Sequence, residues 1–220
     1  IDELMNDYGF EAVYVASGAG LPRFMGIPGE SLNGVYSANE YLTRVNLMKA
    51  YKEDSRTPIM KSKSVAVVGG GNSALEESLY LARICSRVYL IHRRDAFRGA
   101  AIHEKRVRET GNIELVLSSV VDSLNGDDNL KSVTVRSVTT GEKRDIDVDG
   151  IFIFVGNIPN SDCLPEACQR DKGGFLVTDT EMRTTAGDIR SKLCRQVVTA
   201  AGDGATAAHA ASLLLDELHA

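Results

Sequence analysis

The stretch that most constrains this chain begins at Ser64, where Val65-Ala66-Val67-Val68 runs straight into Gly69-Gly70-Gly71. Four apolar residues in a row suit a strand buried on both faces, as strands of parallel sheets are. A glycine turn after such a strand predicts a helix, and Leu75, Leu79 and Ala82 fall at i, i+4 and i+7 on one helical face. Ser73 and Glu76 have the spacing of a capping box at its start. A second apolar run, Val88-Tyr89-Leu90-Ile91, returns the chain to the sheet. Strand, glycine turn, helix and strand within about 30 residues make a βαβ unit, which requires parallel strands with a helix packed on them. The fold class expected is therefore α/β.

Around that unit the pattern loosens. Residues 10–16 alternate like a strand and break at Ser17-Gly18-Ala19-Gly20-Leu21-Pro22, and Gly26-Ile27-Pro28-Gly29-Glu30 is a second turn cluster. Residues 38–51 have helical spacing, and the charged, proline-broken run Lys52-Glu53-Asp54-Ser55-Arg56-Thr57-Pro58 places a domain boundary near residue 60. Residues 100–110 read as a helix and residues 113–117 as a strand, with a hairpin formed by 131–138 and 143–149 around Thr139-Thr140-Gly141-Glu142. Ile151-Phe152-Ile153-Phe154-Val155 is another buried strand that ends on Gly156, closing the domain near residue 157. A short strand over 175–177 and a helix over 205–218 complete the chain.

Composition removes several classes of function. Hydrophobic residues make up 43% of the 220 and charged residues 25%, ordinary values for a globular protein. The net charge of −5 offers no general attraction for nucleic acid or an anionic membrane surface. No apolar run approaches the ~18 residues that a spanning helix needs, and no signal segment opens the chain, so a cytoplasmic protein is expected. Cys85, Cys163, Cys168 and Cys194 form no C-x-x-C pair, which reads as four free thiols in a reducing compartment, with no metal site.

The glycine run has the form Gly69-x-Gly71-x-x-Ala74. After a buried strand and before a helix, that spacing fits a dinucleotide: the first glycine turns tightly, the second lets backbone approach a pyrophosphate, and the small third residue lets helix and strand pack closely. Asn72 and Ser73 share the turn, and Gly156 ends the other buried strand. An acidic residue at the end of the second strand would hold the ribose 2′-OH of NAD. Here that place holds His92-Arg93-Arg94-Asp95-Ala96-Phe97-Arg98. Three guanidinium groups suit a phosphate dianion, so Arg93, Arg94 and Arg98 are expected to form the 2′-phosphate pocket of NADPH, with His92 touching the adenosine phosphate. A solvated basic loop is the other reading of the same charges.

Residues 63–156 resemble the NADPH domain of low-molecular-weight thioredoxin reductases, through Val67-Val68-Gly69-Gly70-Gly71-Asn72-Ser73-Ala74-Leu75-Glu76-Glu77 and His92-Arg93-Arg94-Asp95-Ala96-Phe97-Arg98. Arg195-Gln196-Val197-Val198-Thr199-Ala200-Ala201-Gly202-Asp203-Gly204 resembles the same family's flavin segment. This resemblance implies Asp188, Arg195, Gln196 and Val197 as flavin contacts. The first sixty residues resemble the glutamate synthase small chain and NADPH-ferredoxin transhydrogenases, through Ala16-Ser17-Gly18-Ala19-Gly20-Leu21-Pro22, Gly26-Ile27-Pro28-Gly29-Glu30 and Tyr36-Ser37-Ala38-Asn39-Glu40-Tyr41-Leu42. Both groups belong to the pyridine nucleotide-disulfide oxidoreductase superfamily, whose members carry two dinucleotide-binding domains.

The architecture implied is a Rossmann-like NADPH-binding domain over residues 61–157, three-layered with a parallel sheet and a β-meander. It is flanked by two parts of an incomplete FAD-binding domain, residues 1–60 and 158–220. The activity implied is hydride transfer from NADPH to FAD. The sequence departs from the reductases in three places: residues 50–64 hold no cysteine where their redox C-x-x-C stands, no earlier G-x-G-x-x-G precedes the first strand, and Thr184-Thr185 runs directly into Ala186-Gly187-Asp188. No side chain reads as an acid, base or nucleophile. The partners expected are an electron-acceptor protein or larger subunit and a second copy of the chain. The alternatives are a non-catalytic NADP(H)-binding module that does not retain FAD, and a structural domain whose glycines serve only the fold.

Overall fold

The structure, a computed structural model, describes residues 2–11, 13, 15, 17–164, 168–177 and 197–218. In chain order its elements are α1 (Asp2–Asn6), β1 (Leu21–Pro22), β2 (Val35–Ser37), α2 (Ala38–Leu42) continued by a π-helical turn (Thr43–Leu47), β3 (Ser64–Val68), α3 (Asn72–Leu81) and β4 (Arg87–Ile91). Then follow α4 (Ala101–Glu109), β5 (Ile113–Val116), β6 (Ser119–Gly126), β7 (Leu130–Ser137), β8 (Lys143–Asp147), β9 (Gly150–Ile153), β10 (Asn157–Ile158) and α5 (Val197–Leu218). The chain divides into two compact units, Pro22–Gly156 and Ile1–Leu21 with Asn157–Ala220.

The larger unit is built on a five-stranded parallel sheet in the order β2-β9-β3-β4-β5. Its central strand β3 pairs Val67 with Leu90 of β4 on one side and with Phe152 of β9 on the other. Side chains alternate across a strand, so the apolar run of β3 serves two cores at once. Val65 and Val67 join Val88, Leu90 and Phe152 beneath Ala74, Leu75 and Leu81 of α3 and Val107 of α4. Ala66 and Val68 face the other way and join Ile91, Ile151 and Ile153 against Val121, Leu124, Leu130, Val133, Val135 and Ile146. That second group comes mainly from an antiparallel sheet of order β6-β7-β8. The result is three layers: helices, parallel sheet and meander.

Several elements differ from the sequence expectation, each for a local reason. Strand β6 has no clear pattern in the sequence, because a register shift between Val121 and Ser123 breaks the period-two alternation. Residues 22–60 pack with the parallel sheet, so the contact boundary falls after Leu21 and not near residue 60. The cause is β2, which fills the edge beside β9 by pairing Tyr36 with Phe152. The helix expected over 38–51 changes to a π-helical turn after Leu42, and Lys49 then adopts a left-handed φ of 57°. Helix α4 and the β7–β8 hairpin form within a few residues of where the pattern places them.

In the other unit, Asn160 and Ser17 exchange two hydrogen bonds, Ser17 Oγ to the Asn160 carbonyl at 2.6 Å and Asn160 Nδ2 to the Ser17 carbonyl at 2.9 Å. Leu176 is buried against Val15, Leu164 and Cys168. The strand expected over 175–177 is reduced to a single antiparallel bridge, Arg170 to Leu176, because the Asp171 carboxylate takes the N–H groups of Gly173 and Phe175 into a tight turn. The described residues among 10–16 carry no strand, and Ala12, Tyr14 and Ala16 lie outside the described residues. Helix α5 starts at Val197 and not at residue 205, so it takes in the glycines of the segment expected to meet the flavin. Cys85, Cys163 and Cys168 are free thiols, and Cys194 lies outside the described residues. Among the described residues no helix is long and apolar enough to cross a membrane.

Candidate functional site

From β3 the chain proceeds to β4 on one side, while β9 lies on the other, so the order of strands reverses at β3 and β9. In open α/β sheets, the crevice beyond the strand ends at such a reversal is where ligands bind. The glycine run leaves β3 there, and Phe154 to Gly156 leave β9 there. The two exits are tied to the sheet, Gly69 N donating to the Ile91 carbonyl at 3.1 Å and Phe154 N to the Val68 carbonyl at 2.8 Å. A Cβ on Gly69 would stand 2.7 Å from Cβ of Ala74 and 3.0 Å from the Phe154 oxygen. The two ends of the fingerprint therefore press on each other, which is why position 69 has no side chain and position 74 a small one.

Gly71 is the N-cap of α3, with nothing within 4 Å of where its Cβ would be and, among the described residues, no side chain bonded to the helix end. The expected capping box does not form. Helix α3 starts at Asn72, which puts Ser73 inside its first turn, and the Glu76 carboxylate instead reaches Nε2 of His103 at 3.0 Å. The first N–H groups of a helix left without a side-chain acceptor, together with the helix dipole, make a site for an anion.

The loop between β4 and α4 is latched onto this glycine run. The Gly70 carbonyl accepts from the N–H of Arg98 at 2.8 Å and of Gly99 at 3.2 Å, and Asn72 Oδ1 accepts from Ala100 N at 2.7 Å. A Cβ on Gly99 would meet Cδ1 of Leu75 and stand 3.1 Å from the Asn72 Oδ1 that holds this loop. Arg93, Arg94 and Arg98 are exposed, and none has a hydrogen bond or ion pair from its side chain among the described residues. Arg44, Arg87, Arg108, Arg136 and Arg144 each pair with a carboxylate. Three unpaired guanidinium groups beside an uncapped helix, in a chain of net charge −5, concentrate positive potential at one point of the surface.

His92 is placed differently from its expected role. It is 7% exposed, with its ring stacked on Phe97 at 5.4 Å and 23° and lying against Gly70. Its Nε2 is buried and has no hydrogen-bond partner among the described residues, so in this conformation it faces protein. Burial holds its pKa below the ordinary value; a backbone hydrogen bond with Ala96 opposes this, and Arg94, Arg98 and Arg93 reinforce it. Above the ordinary pKa of about 6.5, folded and unfolded chains are both neutral at this residue. Below it the unfolded chain takes the proton first, which favours unfolding. We expect the urea midpoint to fall between pH 7.5 and 5.5, and His92→Gln to reduce that fall; an unchanged pH dependence in the variant would show that His92 is not its source.

Of the remaining expected contacts, Asn72 spends its side-chain oxygen on the arginine loop, and Ser73 is exposed in the first turn of α3. Gly156 is exposed with a φ of 113°, a backbone conformation that favours glycine, and its carbonyl accepts from Arg23 N at 3.0 Å. Asp188, Arg195 and Gln196 lie outside the described residues, and Val197 is the first residue of α5. Gly70, Phe97 and Gly99 belong to the site without being marked by the fingerprint. The only sequence signal for Gly70 is a third glycine where the fingerprint needs two.

Residues 3–204 match the family model described as pyridine nucleotide-disulphide oxidoreductase. The chain belongs to that family. Among pyridine nucleotide-disulphide oxidoreductases it is similar to a thioredoxin reductase of Treponema pallidum, 39% identical over 213 residues that cover 94% of this chain and 65% of the relative. A thioredoxin reductase of Helicobacter pylori is 44% identical over 160 residues, covering 67% of this chain and 51% of the relative. The chain thus spans between half and two thirds of the length of these relatives. The crystal structure of Lactococcus lactis thioredoxin reductase matches 94% of this chain and 67% of its own, with a TM-score of 0.74 and 31% identity. That of T. acidophilum thioredoxin reductase matches with a TM-score of 0.74 and 26% identity, over 94% of this chain and 66% of its own.

Proposed function

We propose that this chain is the NADPH-binding region, with part of the flavin domain, of an NADPH-dependent flavoprotein oxidoreductase. The observation that carries the reading is the uncapped start of α3 beside three unpaired arginines, the two held together by hydrogen bonds to the Gly70 carbonyl. The residues fit a 2′-phosphorylated dinucleotide. The helix N-terminus and the open face of Gly71 suit a pyrophosphate, Arg93, Arg94 and Arg98 suit a phosphate dianion, and no acid ends β4 to select a free 2′-OH. A nicotinamide held at this site would supply the hydride for reduction of a flavin. The contribution of this chain's own residues is to hold and orient the nucleotide, and none of the described side chains at the site moves a proton.

The flavin part of the reading is supported by the family and by the resemblance at Asp188, Arg195, Gln196 and Val197. The thioredoxin reductase relatives favour a disulfide-type acceptor, whereas residues 50–64 of this chain contain no cysteine, and the first sixty residues resemble the glutamate synthase small chain. We therefore favour an electron-acceptor protein or larger subunit over a dithiol carried at that place. A second copy of the chain is the other expected partner, supported by the exposure of Phe24, Leu42, Leu47 and Met48.

The test is the visible spectrum of the purified protein, recorded anaerobically before and after NADPH. We expect a flavin spectrum that bleaches. A colourless protein that still binds NADPH in a calorimeter would replace this reading with that of a nucleotide-binding module.

A further inference from the structure

We infer that His92 is a positioning residue whose imidazole, seated against Gly70 and Phe97, sets the arginine loop beside the glycine loop and so sets the preference for a 2′-phosphorylated dinucleotide. The inference rests on the dinucleotide reading above and adds to it the part that aligns its two halves. It starts from Gly70, the middle glycine, which the fingerprint does not require. Its φ is not in the left-handed region, so conformational freedom does not explain it. What does is the histidine: a Cβ on Gly70 would overlap Cε1, Nδ1 and Nε2 of His92, and those three atoms are its nearest neighbours. Gly70 is bare because an imidazole lies flat against it.

The same ring stacks on Phe97, which packs in turn against the core beneath α3. The backbone of His92 is pinned, its N–H donating to the Val116 carbonyl and its carbonyl accepting from Ser119 N, both at 2.9 Å. The ring is therefore a spacer of fixed thickness on a fixed mount, touching the glycine loop at Gly70 and the arginine loop at Phe97. Arg93 and Arg94 follow it directly, and Arg98 follows Phe97, so the thickness of the spacer determines where the three guanidinium groups stand relative to the start of α3. The buried, unpartnered Nε2 agrees with this, because such an atom carries a desolvation penalty that an aliphatic side chain would avoid. Stability alone does not account for a histidine there.

Binding of NADPH and of NADH to the purified full chain tests the inference, with the wild type compared to His92→Ala, Gly70→Ala and the double variant, and with thermal unfolding recorded for each. Each single variant is expected to lower the ratio of NADPH to NADH affinity tenfold or more, whatever it does to the affinity for NADH alone. The double variant is expected to be no worse than His92→Ala, because the added methyl enters the space the ring has left. A merely structural role would lower both affinities together and leave their ratio alone. His92→Asn serves in place of His92→Ala if the latter does not fold, with the same expectation. Single variants that fold and keep the ratio, or losses that simply add in the double variant, would overturn the inference. If Arg93→Ala with Arg94→Ala abolishes the preference and the His92 variants do not, the positioning role alone fails. A wild type with no preference for NADPH would remove the dinucleotide reading itself.

Discussion

Replacing Arg93 and Arg94 together by alanine is expected to raise the Kd for NADPH about a hundredfold or more and to leave that for NADH nearly unchanged. Each guanidinium lost removes a charge-assisted hydrogen bond to the 2′-phosphate worth about 1.5 kcal/mol or more, and two such bonds make at least about 3 kcal/mol, close to two orders of magnitude. NADH has no phosphate at that position and loses only a weak, salt-screened attraction. The fold should be indifferent, because both side chains are exposed and neither has an ion-pair partner among the described residues that would be left alone. Surface changes of this kind usually shift stability by less than about 0.5 kcal/mol. Calorimetric titration of both nucleotides at two salt concentrations checks the prediction. A similar loss for the two cofactors would mean that the arginines act as a general positive field or not at all, and that the loop is the solvated basic one.

The second large effect is on stability and lies at Gly29. This residue has a φ of 89°, and a Cβ on it would collide with the Leu124 carbonyl oxygen and stand 2.8 Å from both the carbonyl carbon and Cβ of Leu124. The obstruction is backbone of β6, which cannot step aside as the end of a flexible side chain would. Next to it, Leu124 N donates to the Pro28 carbonyl at 2.9 Å, so the turn is docked directly on the meander. The Glu30 carboxylate closes the same turn by accepting from the N–H groups of Met25 at 2.7 Å and Gly26 at 2.8 Å. Gly29→Ala should destabilise the larger unit by about 2–6 kcal/mol, the sum of a left-handed backbone penalty and an overpacking penalty of about 1–3 kcal/mol each. Urea unfolding followed by circular dichroism gives the value. A loss below about 1 kcal/mol, within the range of an ordinary surface change, would show that the turn does not rest on β6.

Arg93 and Arg94 are readable directly, because guanidinium groups clustered after a βαβ unit with a glycine turn point to a phosphate. Gly29 is visible only as a turn residue, since β6, the strand it rests on, carries a bulge that hides the alternation. His92 is recognisable as part of the arginine cluster, but its side-chain direction is not. A polar residue next to arginines suggests a ligand contact, and the structure turns its ring inward against Gly70. The capping box at Ser73 and Glu76 fails for a related reason. Its spacing is correct, but the helix has already begun at Asn72, and Glu76 finds a partner on the neighbouring helix α4.

What the sequence determined by itself is whatever local chemistry dictates over a few residues. An unbroken apolar run must be covered on both faces, a glycine run after it must turn, and the helix that follows must lay its apolar stripe on the sheet. From these came the α/β class, the βαβ unit and the place of the candidate site. Tertiary structure alone decided which strands became neighbours, that residues 22–60 join the larger unit through β2, and that a histidine and a glycine 22 residues apart in sequence came to share one small space. Those outcomes depend on contacts between segments remote in the chain. Their energies arise only when both partners are in place, so neither segment carries the signal alone.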